Sequence, residues 1–182
     1  MRNVIEKSND NLVIVDTFSR LLQARIVFID GGIDEDMANS TIAQLLYLDS
    51  ISNKEINVYI NSKGGLVTQG LAIYDIGKII KSPIRTVAMG QAASMACILM
   101  LMGEVRVATP NSRLMLHQIA GGVMGTQEDI RVQAAEMEVL EKLLYDIVKE
   151  KTLITNPETE LRIDNWYSPT RALELGILTE IL

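Results

Sequence analysis

Residues 84–102 read IRTVAMGQAASMACILMLM, and the order of residue types in this run decides the fold. Ile84 to Met89 is strand-like, Gly90-Gln91-Ala92-Ala93-Ser94 is a turn built mainly of small residues, and Met95 to Met102 is an apolar helical run. A strand that passes through small residues directly into a helix is the building unit of layered α/β proteins, because short side chains let backbone segments approach where the strand ends. The same order recurs upstream. Ile56 to Ile60 reads as a strand broken by Asn61-Ser62-Lys63-Gly64-Gly65, and Leu66 to Ile80 reads as a helix that places Val67, Gly70, Leu71 and Tyr74 near one another. Pro83 separates that helix from the next strand.

Further toward the N-terminus, Val13 to Asp16 and Arg25 to Asp30 read as short strands, with a helical or turn-like segment around Ser19 to Gln23. From Asp34 to Asp49, Met37, Thr41, Leu45 and Leu48 recur three or four apart, which predicts a helix with one buried face. Downstream, Val105 to Ala108 and Arg113 to Leu116 read as a strand pair around Pro110-Asn111, and Gln118 to Gly125 is glycine-rich. Thr126 can cap a long helix whose positive end Asp129 stabilises, running to about Glu150. Its apolar positions, Ile130, Ala134, Met137, Leu140, Leu144, Ile147 and Val148, imply a helix that projects from the domain or buries a face against another subunit. A final helix is punctuated by Ser168 as cap, Pro169 in its first position and Gly176 as terminator. No linker interrupts the 182 residues, so a single domain spanning 1–182 is expected.

Composition narrows the function classes. The chain carries 17 Lys and Arg against 23 Asp and Glu, a net charge of -6, with no basic block interleaved with aromatics. Nucleic-acid binding is disfavoured, since neutralising phosphates requires concentrated positive charge. Cys97 is the sole cysteine, which excludes an intrachain disulfide and a cysteine-rich metal site, and its apolar surroundings mark it as packing material. The opening MRNVIEKSNDNLVIV lacks a signal peptide's apolar core, and MACILMLMG is too short to span a membrane, so a cytoplasmic protein with no membrane partner is expected.

Three residues could form a nucleophilic relay. Ser94 ends a strand and opens a helix, which can expose Oγ while aiming the following amides at a developing oxyanion; the same position equally suits a helix cap. His117 is the only histidine, so any histidine-dependent mechanism must use it, and a multi-histidine metal site is absent. Asp164 could orient the second imidazole nitrogen, with Asp129 and other acids as competitors for that role. There is no phosphate-binding G-x-x-x-x-G-K-[ST] run, and Lys63-Gly64-Gly65 cannot replace one.

Several segments in order, SRLLQARIVFI, AQLLYLD, YINSKGGLVTQGLAIYDIGKII, MGQAASM, PNSRLMLHQIAGG and DNWYSPTRALELG, resemble the proteolytic subunit of the ATP-dependent Clp protease across nearly the whole chain. The resemblance implies a layered α/β fold shared with the crotonases, a protruding handle helix within 118–150, and a serine endopeptidase with Ser94 as nucleophile, His117 as base and Asp164 as acid. It implies oxyanion donors at the amides of Gly64 and Met95, and peptide-binding strands at Gly65, Leu66 and Val67 and at Gly121, Gly122, Val123 and Met124. It also implies two stacked heptameric rings of one chain and no cofactor in this chain. The resemblance further implies that ATP is used by a separate AAA-type unfoldase that contacts Leu48 and Tyr59 and feeds unfolded protein past an axial segment at 1–16. Two other readings stand beside this one: an inactive or weakly active structural subunit of a mixed ring, and a coenzyme A enzyme of the crotonase group, which would not need all three relay residues.

The chain departs from the family pattern at specific places. Lys63 and Ile119 stand where proline is common, which frees two substrate-facing turns from a fixed φ. Ala96 stands for a common glycine, and the connection from Gly103 to Pro110 is about two residues shorter than usual. Arg162-Ile163 precedes Asp164 where an acidic residue and an arginine usually link ring assembly to activity. Ile163 cannot make an arginine's multi-donor contact.

Overall fold

The computed structural model describes residues 3–8 and 11–182. Along the chain, β1 (Asn3–Ser8) and β2 (Asn11–Asp16) lead into α1 (Thr17–Gln23), β3 (Ile26–Ile33), α2 (Glu35–Ile51), β4 (Ile56–Gly65), α3 (Val67–Ile79), β5 (Ile84–Ala93) and α4 (Met95–Met100). There follow β6 (Val105–Ala108), β7 (Arg113–Leu116), α5 (Gln127–Lys151), α6 (Pro157–Glu160), β8 (Asn165–Tyr167), α7 (Pro169–Glu174) and β9 (Glu180–Ile181). The first two strands form an antiparallel ribbon; of the 1–16 segment expected to be axial, residues 1, 2, 9 and 10 lie outside the described residues.

The main sheet runs β3-β4-β5-β6-β9, with β3, β4, β5 and β6 mutually parallel, so each step along it requires a crossover. Helices α2 and α3 supply two of those crossovers and pack on each other, while α4 packs against β4, β5 and β7. This is the α/β layering expected from residues 84–102. Every residue from Met95 to Met102 is at most 3% exposed, which is why that run is apolar all round instead of on one stripe.

Strands β3, β4 and β5 extend beyond the ends read from sequence, and the site depends on the last two extensions. Strand β4 does not end at Asn61 but continues to Gly65, alternating buried Ile56, Val58, Ile60, Ser62 and Gly64 on one face. Its partner β3 also runs on, to Ile33, and pairs with it through Gly32↔Gly64 and Ile33↔Gly65, so the glycines are held in a ladder. Strand β5 continues past Met89 to Ala93 because its neighbour changes along its length. Arg85 to Ala88 pair with β6, and Gln91 to Ala93 pair with β7.

The α2 face is buried through Ala38, Thr41, Leu45 and Leu48, with Asp34 capping its start by accepting from Met37 N–H at 2.9 Å. Arg106 ties the C-terminal part of the chain to the sheet, donating to the carbonyls of Ile177, Gly176, Gly103 and Lys151. Helix α5 opens on a capping box in which Thr126 Oγ1 accepts from Asp129 N–H and Asp129 Oδ2 accepts from Thr126 N–H. Only its C-terminal half meets the body, through buried Leu144 and Val148, and the preceding turns protrude as the handle.

Candidate active site

Pairing in the sheet assembles the site. Ala93 is opposite Met115, and Ser94 N–H donates to Met115 O at 2.9 Å, which sets the end of β5 beside the end of β7. Strand β8 lies antiparallel to β7 with Leu116 opposite Asn165, so the next residues outward, His117 and Asp164, face each other. Residues 94, 117 and 164 therefore meet at one sheet end although far apart in sequence.

Ser94 lies on a sharp strand-to-helix turn at φ 56 and ψ -129, a conformation that L-residues adopt only under strain of about 1–3 kcal/mol. It stands at the cap position of α4, yet its side chain makes no capping bond. Its Oγ instead lies 2.7 Å from His117 Nε2, and His117 Nδ1 lies 3.0 Å from Asp164 Oδ1. The arrangement assigns the Nδ1–H tautomer, which donates to the carboxylate and leaves Nε2 to accept from Ser94 O–H. The His117 side chain is 22% exposed and that of Asp164 64% exposed, so the serine and imidazole are sheltered while the carboxylate meets solvent. Asp129, a competitor for the acid's place, is engaged with Thr126 at the start of α5, and that hydroxyl chiefly holds its carboxyl below the usual range.

Gly64 has φ +93, and a Cβ placed there would lie 2.7 Å from Ala93 O, 2.7 Å from Ser94 Cβ and 3.0 Å from Met95 N. The glycine thus lets β4 pass against the turn that carries Ser94. Met95 N–H opens α4 and has no acceptor within the helix. The amide of Gly64 donates to Ser62 Oγ at 3.0 Å, and Ser62 Oγ donates to Gly31 O at 2.6 Å, so the Gly64 donor is already engaged and could meet an oxyanion only as a shared bond.

A cavity of about 260 Å³ opens beside Ser94 and His117. Its walls include Val67, Ile98, Leu116, Leu144, Tyr145 and Leu161, so it is mostly apolar. Gly65 and Val67 line it as well, while Leu66 is 56% exposed at its edge. The segment Gly121 to Met124 is not a strand, and none of those four residues lines this cavity; Met124 is 92% exposed. Leu48, expected at a partner surface, is 2% exposed within the core, since it closes the buried face of α2, and only its carbonyl is used, accepting from Arg25 Nη1. Tyr59 is half-buried, its ring 5.7 Å from that of Phe28. The thiol of Cys97 is wholly buried directly behind Ser94, and burial pushes it up to about 12.

Sequence reasoning missed the contribution of α5 to this cavity. Glu141, Leu144 and Tyr145 all line it, on the stripe continued by Val148; Leu144 and Val148 were legible as apolar positions, but Glu141 broke the pattern. Among the described residues no group of three or more His, Cys, Asp or Glu is placed to hold a metal ion, and no helix is long and apolar enough to cross a membrane.

A layered α/β chain whose strand-to-helix turn offers a serine to an imidazole beside an apolar cavity has the build of a serine endopeptidase. The Clp protease family matches residues 8–182. The chain is also 42% identical over 184 residues to the ATP-dependent Clp protease proteolytic subunit 1 of Salinibacter ruber, covering 98% of this chain and 79% of that protein. It belongs to the Clp protease family and is a serine endopeptidase of that type, which sets aside the coenzyme A reading.

Proposed function

We propose that this chain hydrolyses peptide bonds through an acyl-enzyme formed on Ser94. His117 Nε2 takes the Ser94 proton as Oγ attacks the scissile carbonyl, then returns it to the leaving amine. Asp164 holds the imidazole in the Nδ1–H tautomer and supports the imidazolium. Met95 N–H is aimed at the oxygen that becomes negative, a contribution of about 3 kcal/mol for one aligned donor, with Gly64 N–H as a second donor shared with Ser62 Oγ. Water then releases the acyl group by the same path reversed. The aliphatic walls of the cavity suit an apolar P1 side chain, and Gly65 to Val67 offers the backbone edge for an extended peptide.

The observation that carries this reading is the continuous hydrogen-bonded path Asp164–His117–Ser94 ending at that cavity. The exposed apolar residues of α5, Ile130, Val132, Val139 and Leu143, support association into rings, taken here as two stacked heptamers. The ATP-dependent name of the Salinibacter relative supports a separate AAA-type unfoldase as the supplier of unfolded substrate. Reaction with a serine-directed phosphonate followed by peptide mapping tests the site: label is expected on Ser94, lost in Ser94→Ala and strongly slowed in His117→Ala. Label on another residue, or undiminished peptide turnover by Ser94→Ala, would overturn it.

A further inference from the structure

The cavity beside Ser94 has two facing walls: α5, with Glu141, Leu144 and Tyr145, and the segment Gln118 to Ala120 that follows His117. The two are joined by one bond across 22 residues, in which Ile119 N–H donates to Glu141 Oε1 at 3.3 Å. Gln118 N–H donates to Leu161 O at 2.5 Å, and the Ile119 side chain packs against the core; beyond it, Ala120 to Met124 run largely exposed. Ile119 is thus the last point at which this wall is held. The bond exists because position 119 has an N–H, which a proline would lack, and it is charge-assisted because the acceptor is a carboxylate. The same carboxylate, after burial, raises the Tyr145 hydroxyl on the next turn of α5, which reaches about 12.

We propose that Glu141 is a positioning residue that determines P1 specificity: by holding Ile119 to α5 it fixes the width of the cavity that receives a large apolar P1 side chain. This rests on the reading of Ser94 and His117 given above. The remaining walls, Val67, Ile98, Leu116, Leu144 and Leu161, shape the cavity for an apolar group. His117 is held separately, by Asp164 and by the β7–β8 pairing, so the tether acts on binding of the side chain more than on the chemistry.

The test compares steady-state cleavage of two short peptides differing only in P1, leucine or alanine, by the full chain and its variants. Glu141→Ala, neutral for the helix because alanine is its best former, is expected to raise KM for the leucine peptide about fivefold with kcat little changed. The alanine peptide, which does not reach the far wall, should change by less than about twofold. Glu141→Gln keeps an acceptor oxygen and should restore the leucine preference. Ile119→Pro removes the donor and should lose that preference, with no further loss when Glu141→Ala is added. An unchanged leucine-to-alanine ratio, equal losses on both peptides, or a Gln variant as impaired as the Ala variant would overturn the proposal. Turnover persisting in Ser94→Ala would instead overturn the active-site reading, so the two failures are told apart.

Discussion

Replacing Gly64 by alanine tests how closely β4 and the Ser94 turn are fitted. The new methyl group would sit 2.7 Å from Ala93 O and from Ser94 Cβ, and 3.0 Å from Met95 N, all atoms of the turn itself and none the tip of a flexible side chain. Restoring ordinary van der Waals contact requires the strand and the turn to separate by roughly 0.7 Å. The residue would also have to keep φ +93, which costs an L-residue about 1–3 kcal/mol. At about 2 kcal/mol, a chain of this size loses about 4–8 °C in Tm. The catalytic loss should be larger than the stability loss implies, since a displacement approaching 1 Å at a reacting group is worth about 100-fold, and loss of one oxyanion donor about 100- to 1000-fold. We therefore expect Gly64→Ala to stay folded and fall about 100-fold in kcat for a short peptide, with slower phosphonate labelling of Ser94. Peptide kinetics, labelling rate and calorimetry on the same preparation decide the matter. A variant within about fivefold of wild-type kcat and with unchanged Tm would refute the close-approach argument.

Two further outcomes follow from local geometry. Ser94→Gly and Ser94→Ala both remove Oγ, but only glycine relieves the strain at φ 56 and ψ -129, by about 1–3 kcal/mol against an extra chain-entropy cost of about 0.5–1 kcal/mol, a net of about 1 kcal/mol; calorimetry should find the glycine variant about 2–4 °C more stable, and a glycine variant less stable than the alanine one would remove the claim of strain. Asp49 accepts from Ser82 Oγ and from the amides of Ser82 and Lys81, and the Ser82 hydroxyl chiefly holds its carboxyl below the ordinary value. Its folded pKa lies below its unfolded one, so its contribution is fully present above about pH 4 and is lost as pH falls through the lowered value. Tm measured down to about pH 2 should fall less steeply in Asp49→Asn, and parallel curves would contradict this account.

The layered fold was readable because strand, small-residue turn and helix follow one another twice, and because Thr126, Ser168, Pro169 and Gly176 mark helix ends by local chemistry that tertiary packing does not override. Strand ends were less legible. Asn61 to Gly65 looks like a break by composition, yet β3 pairs with it as far as Gly65 and β5 meets it at Ser62, each across a register shift, a long-range effect that no local propensity encodes. Ser94 and His117 stood out individually, one by its turn and the other by being the sole histidine. That His117 meets Asp164, 47 residues away, depends on the register of β7 with β8, which sequence leaves open. Leu48 shows the helical pattern at its most direct: its spacing marks a buried face, and the structure places it there, 2% exposed. Glu141 was invisible because a charged residue on an apolar stripe looks like a solvated face until Ile119 is placed opposite it.

The register that joins β7 to β8 also orders events during synthesis. Ser94 and its turn are translated early and can fold onto β4 and β5, and His117 follows, but Asp164 and its strand emerge some fifty residues later. A ribosome-bound chain shorter than 164 residues would hold the hydroxyl and the imidazole without the carboxylate that hydrogen-bonds the imidazole. The hydrogen-bonded path from Asp164 through His117 to Ser94 can therefore close only once the segment that leads into β8 has been made. Strand pairing serves here as a timer as well as a scaffold.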